Sequence, residues 1–134
     1  MKSYSEMAQL ATLEERYRYL ALHGEVGAAT FGSRRFHNQG FYNSREWRDV
    51  RRNIIARDEG CDLGVEGFLI FRAPTVHHIN PLTIDDVINR SPLCLDPNNL
   101  ITVSHDTHNA IHYGDERLLP RDFVARRPGD TKEW

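Results

Sequence analysis

Lysine is almost missing from this chain: of 17 cationic side chains only Lys2 and Lys132 are lysines, and the rest are arginine. Arginine is the better fork for phosphate, but the same bias follows from base composition, so by itself it decides nothing. Cysteine is equally scarce. Cys61 and Cys94 are the only two, which excludes a disulfide framework and fits a reducing compartment. No run of 18 apolar residues exists, which excludes a membrane-spanning helix. The opening MKSYSEMAQL lacks the apolar middle of a signal peptide, so a cytoplasmic location is expected. A net charge of −2 offers no bulk attraction for nucleic acid, so any such binding must come from a local patch. What remains is an ordinary soluble composition, 40% hydrophobic and 27% charged, in 134 residues that suit one domain with a modest core.

Three stretches follow from the punctuation. Residues 1–43 read as a helical arm. In it Thr12 and Glu15 form a capping-box pattern, Leu13, Tyr17 and Leu20 recur at helical spacing, and Gly24 is a stop. The Gly-rich run GEVGAATFGSRRFHNQG then reads as loop. A second helix opens at Ser44 and runs to about Arg57. Trp47, Val50 and Ile54 form its buried stripe, and Arg45, Arg48, Arg51 and Arg52 lie largely off it. Phe68–Val76 is strand-like and delivers His77 and His78 at its end, with Leu69 and Ile70 as core candidates beside Trp47, Val50 and Ile54. A long connection with Pro81, Pro92 and Pro97 leads to a second short strand, LITVS, and then to a short helix, HDTHNAIHYG. That helix is capped by Ser104 or Asp106 and stopped by Gly114. Residues 118–134 read as an irregular tail.

Five of the seven histidines fall between positions 77 and 112. His108 and His112, one helical turn apart, project from one face and can share a divalent cation. A strand ending in histidine would bring a further ligand to the same ion. Neutral imidazoles favour zinc, nickel or copper; magnesium or manganese needs a phosphate to supply oxygen. His105 shares that face but reads more simply as a surface or capping residue, and His23 and His37 as incidental.

The series HHINP, NNL and HNAIH resembles the HNH endonucleases, whose ββα-metal motif consists of a His-strand, an Asn-strand and a His-helix. The likeness is strong over residues 44–114, within a nuclease domain read as 44–117, since SREWRDVRRNIIARD also looks like the helix that often precedes the motif; it is weaker over residues 1–43, which look like certain phage-encoded members. The resemblance implies an α+β fold, a ββα-metal core between the N-terminal helical arm and the irregular C-terminal tail. It assigns His77, His108 and His112 as metal ligands, His78 as general base and Asn99 as the brace of the loop that orients His78. It also implies one divalent ion, with magnesium or manganese expected in function and zinc or nickel admissible. Where related chains hold a structural zinc with two Cys-x-x-Cys pairs, this one carries Cys61, Gly64, Ser104 and Thr107, so no structural zinc is expected. The commoner Asp before the base is His77 here, a softer ligand.

The activity so implied is metal-dependent hydrolysis of DNA phosphodiester bonds, with Arg45, Arg48, Arg51 and Arg52 holding the duplex backbone and Arg34 and Arg35 assisting. Two other readings stay open: a non-catalytic DNA- or protein-binding module stapled by its ion, and an accessory component of phage DNA packaging with packaging proteins as partners. For the helix arginines a solvated face is the competing reading, and for Trp47 a core position competes with base stacking.

Overall fold

The computed structural model describes residues 1–22 and 40–120. His23, Gly24, Arg34, Arg35, His37, most of the Gly-rich run and the tail beyond Pro120 lie outside the described residues.

Helices begin where side chains can satisfy the first free backbone amides. Ser3 caps α1 (Tyr4–Met7), and Thr12 caps α2 (Leu13–Leu20) through a complete capping box with Glu15. Ser44 caps α3 (Arg45–Arg57), its hydroxyl accepting from the Trp47 amide. Two four-residue strands follow, β1 (Thr75–His78) and β2 (Leu100–Val103), separated by the short helix α4 (Ile84–Ile88). Ser104 caps the last helix, α5 (His105–Tyr113), which stops at Gly114 in the left-handed conformation, φ 64°. The class is α+β: helices around a two-stranded antiparallel sheet.

The sheet divides the molecule. In its register Val76 faces Thr102 and His78 faces Leu100, while Thr75 faces Val103 and His77 faces Ile101. Because strand side chains alternate, these pairs lie on opposite faces. On one side Val76 and Leu100 join Trp47 and Ile54 of α3, together with Phe41, Leu82, Val87 and Cys94, in one apolar cluster. On the other side Ile101 and Val103 join Ala110 and Ile111 of α5, and Met7, Leu13, Tyr17 and Leu20 from the N-terminal helices. The first twenty residues are therefore built into the core beneath α5. Arg16 fastens them, donating to the carbonyls of Ala8, Leu10 and Leu63.

Three expectations need correction. Phe68–Val76 is not one strand. Ladder pairing begins only at Thr75, after Pro74, which has no amide to give; upstream of it a single bridge joins Leu69 to Cys61. Leu69 is 45% exposed and Ile70 only half-buried, so neither is core. The large side chains that are fully buried instead include Phe41, Leu63, Ile79, Leu100 and Ile101. The connection between the strands is also not bare loop. Thr83 and Asp86 form a second capping box that starts α4, and Val87 carries it into the α3-side cluster. Among the described residues no helix is long and apolar enough to cross a membrane.

Candidate metal centre

Strand alternation sends the two adjacent histidines of β1 to opposite faces, and each meets a different helix. His77 turns toward α5. His108 and His112, one turn apart there, complete a cluster in which one nitrogen from each of the three rings lies within 4.8 Å of the others. The ring centroids of His77 lie 5.2 Å from both His108 and His112. His108 Nε2 and His112 Nε2 are 2.8 Å apart.

The electrostatics of the cluster are those of a ligand set. Burial pushes the His77 imidazolium well below its ordinary range, and the neighbouring rings of His108, His112 and His78 add to this. Burial, then His112, lowers His108 to about 4, and burial also lowers His112. All three are therefore neutral at pH 7, the form in which imidazole binds metal. His77 Nε2 is fully buried and has no hydrogen-bond partner, an arrangement that costs on the order of 1–3 kcal/mol unless something occupies that lone pair. A divalent cation fits this set: three neutral nitrogens converge, and one of them is otherwise orphaned. Such donors rank zinc, nickel and copper above magnesium in affinity, and magnesium would need oxygen ligands from a bound phosphate.

His78 turns toward α3 and is held from several directions. Its ring stacks on Trp47, with centroids 5.2 Å apart and planes inclined by 20°, and the rings of Phe41 and Tyr42 lie at 6.2 and 6.3 Å. Its Nε2 is 3.0 Å from the Cys94 carbonyl. A carbonyl only accepts, so the proton sits on Nε2 and Nδ1 keeps its lone pair. Burial lowers His78 to about 4, against a smaller opposing effect of the Cys94 carbonyl, so it too is neutral at pH 7.

Asn99 holds the loop that supplies this carbonyl. It is 2% exposed. Its Oδ1 accepts from the Asn80 amide and side chain, both at 2.8 Å, and its Nδ2 donates to the Leu93 carbonyl at 3.0 Å. Leu93 is the residue before Cys94, so one buried amide ties the start of the connection to the stretch that fixes His78.

Of the residues singled out in the sequence, the structure brings His77, His108 and His112 into one cluster and places His78 on the far face of the same strand, with Asn99 behind it. His105 is apart, exposed and bonded to Asn109 at 3.2 Å. The arginines of α3 divide. Arg45 and Arg48 are exposed and make no side-chain bond to any described residue. Arg51 donates to the Pro74 carbonyl at 2.6 Å, and Arg52 pairs with Asp49 at 2.8 Å. Trp47 is core and also the stacking partner of His78. Asn80 and Asp62 were not singled out. Asn80 was visible in the Asn-Pro break after the histidines. Asp62 is buried and receives Ser104 and Thr107, two of the positions compared with thiolates. Its signal was a carboxylate next to Cys61, the one cysteine at those four positions.

The chain matches no protein-family model, and no curated protein or solved structure is significantly similar to it.

Proposed function

We propose that this protein is a metal-dependent DNA endonuclease of the HNH kind. One observation carries the reading. Three neutral imidazoles converge within 4.8 Å on one face of β1, and the next residue of the strand, His78, turns to the other face with its proton on Nε2 and its Nδ1 lone pair free. A three-nitrogen set leaves coordination positions open for substrate, which is the catalytic pattern and not the closed structural one.

His77, His108 and His112 would hold the cation. Bound there, it supplies neutralisation of charge on the scissile phosphate and on the departing oxygen. The chain's own residues do the rest. A phosphodiester lying across the end of β1 would have the cluster on one side of the strand and His78 on the other. His78 Nδ1 takes a proton from water, the water oxygen forms its bond to phosphorus, and the bond to the 3′ oxygen breaks, that oxygen taking a proton from solvent. Trp47 and the Cys94 carbonyl keep the ring from turning. An approaching phosphate also favours the imidazolium and so strengthens a base that burial alone makes weak. Of the α3 arginines, Arg45 and Arg48 bond no described residue, and these would meet the duplex backbone.

Nicking of supercoiled plasmid across magnesium, manganese, nickel and zinc, with and without chelator, tests the reading. Activity should require metal. His78→Ala should lose about 10²- to 10⁴-fold in rate at saturating metal while still binding it. His108→Ala should instead lose metal affinity and regain cleavage in excess metal. Metal binding without cleavage under every condition would replace this reading with that of a metal-stapled binding module.

A further inference from the structure

Two of the three metal-site histidines ride on α5, so the site is only as well placed as the start of that helix. The start is gripped from outside by one buried side chain. Asp62, 0% exposed, stands in the turn Asp62–Gly64 after α3. Its Oδ1 accepts from the Ser104 amide at 2.9 Å, and its Oδ2 accepts from the Ser104 hydroxyl at 2.9 Å and the Thr107 hydroxyl at 2.6 Å. Ser104 is the cap of α5, and Thr107 precedes His108. The grip thus acts on the turn from which His108 projects, with His112 one turn further along the same rigid helix.

Asp62 is itself fixed. Its amide donates to the Phe68 carbonyl at 2.7 Å, and the next residue, Leu63, is fully buried with its carbonyl held by Arg16. A carboxylate this deep costs desolvation. Burial raises its pKa, and the bonds from Thr107 and Ser104 oppose that rise. Helix capping alone does not require such an arrangement. The Ser104 hydroxyl already caps α5 by accepting from the Thr107 amide at 3.1 Å, as Ser44 caps α3 through its own hydroxyl. What the carboxylate adds is a fixed link between the first turn of α5 and the N-terminal half of the core.

We infer that Asp62 is a positioning residue of the metal centre: its carboxylate sets the start of α5 and so the angle at which His108 and His112 meet His77. The inference rests on the metal-site reading above, and the following measurements separate the two.

Titration with Co²⁺, followed by its d–d absorption, reads affinity and ligand geometry without reference to cleavage. Asp62→Ala should bind Co²⁺ at least about 10-fold more weakly, as when other residues that orient metal ligands are removed, and should show an altered visible band. Asp62→Asn keeps an acceptor for the Ser104 amide and a polar group toward the two hydroxyls, and should restore most of both. If Asp62→Ala does not fold, Thr107→Val, which removes the 2.6 Å bond to Asp62 and the 3.1 Å contact with the Ser104 hydroxyl but leaves both Ser104 bonds to Asp62, should show the same change in milder form. Thr12→Ala, which breaks the capping box of α2, provides the contrast: it should lose stability but leave Co²⁺ affinity and spectrum unchanged. Wild-type protein that fails to bind Co²⁺ overturns the metal-site reading and this inference with it. Wild-type binding with the same affinity and band in Asp62→Ala or Thr107→Val overturns the inference alone.

Discussion

Replacing Asn99 by alanine would take away the acceptor of the Asn80 amide and the donor to Leu93 in one step. Leaving buried polar groups unmatched costs about 1–3 kcal/mol each, and here the loss falls on the loop whose next carbonyl fixes His78. Asn99→Ala should therefore lower kcat by about 10- to 100-fold, in the range for residues that orient a functional side chain, while Co²⁺ affinity stays near wild type. Equal loss of both would place Asn99 with the structural core and not with His78. Asn99 could be singled out because its spacing from the histidines matches a known pattern. Asp62 could not, since its partners stand 42 and 45 residues away. A lone aspartate in sequence carries no sign of which amides it will meet.

Of the α3 arginines, Arg45, Arg48 and Arg52 are exposed while Arg51 and Arg57 are partly buried, so only part of the set is available. Arg51 is committed to Pro74, Arg52 to Asp49, and Arg57 to Asp58, Pro97 and Leu100. Replacing Arg45 and Arg48 by alanine should weaken DNA binding about equally for all sequences and reduce the slope of log affinity against log salt by up to about 2. An unchanged slope would mean that the duplex is held elsewhere. Three helices were legible, because caps and 3.6-residue periodicity are local signals: Thr12 and Ser44 each start a helix as read, and of the two caps open for the last helix, Ser104 and Asp106, it is Ser104. The first strand was not. Phe68–Ile70 have strand-like side chains, yet pairing is decided by a partner distant in sequence, and β2 is only four residues long. The α4 helix was missed for the opposite reason. Its Thr83–Asp86 cap is a local signal, but the helix is only five residues long and lies between Pro81 and Pro92.

Among the described residues two apolar clusters, one on each face of the sheet, form the core, so a bound cation is not expected to be the scaffold. Strong chelator should abolish cleavage but leave a cooperative thermal transition. Stability should fall only by the free energy of one bound ion, about 3–4 kcal/mol at 100 to 1,000 times Kd. Global unfolding by chelator would contradict this. The metal-free protein should also be acid-labile. Burial holds His78 and His108 at about 4 and His77 well below its ordinary range, whereas the unfolded chain protonates its histidines near pH 6.5. Below that pH the unfolded state takes up more protons, so the stability these rings contribute is complete above about pH 6.5 and is lost as pH falls toward 4. The Tm of chelated protein should drop steadily between pH 7 and 4.5. A flat profile would show that the rings are hydrated.

A sheet of two strands has an outer rim on each side where backbone groups lack a neighbouring strand, and such a rim is a template for pairing with another chain. Along β2 that rim is already taken. The Leu100 carbonyl accepts from Arg57, the Thr102 amide donates to Asp58 and the Ser104 amide donates to Asp62. Consecutive turns at the end of α3 thus imitate a third strand with side chains alone. A further strand, from a partner or from a second copy, has no free amide at Thr102 or Ser104 to bind. On that side the sheet presents no row of free amides from which aggregation could be seeded.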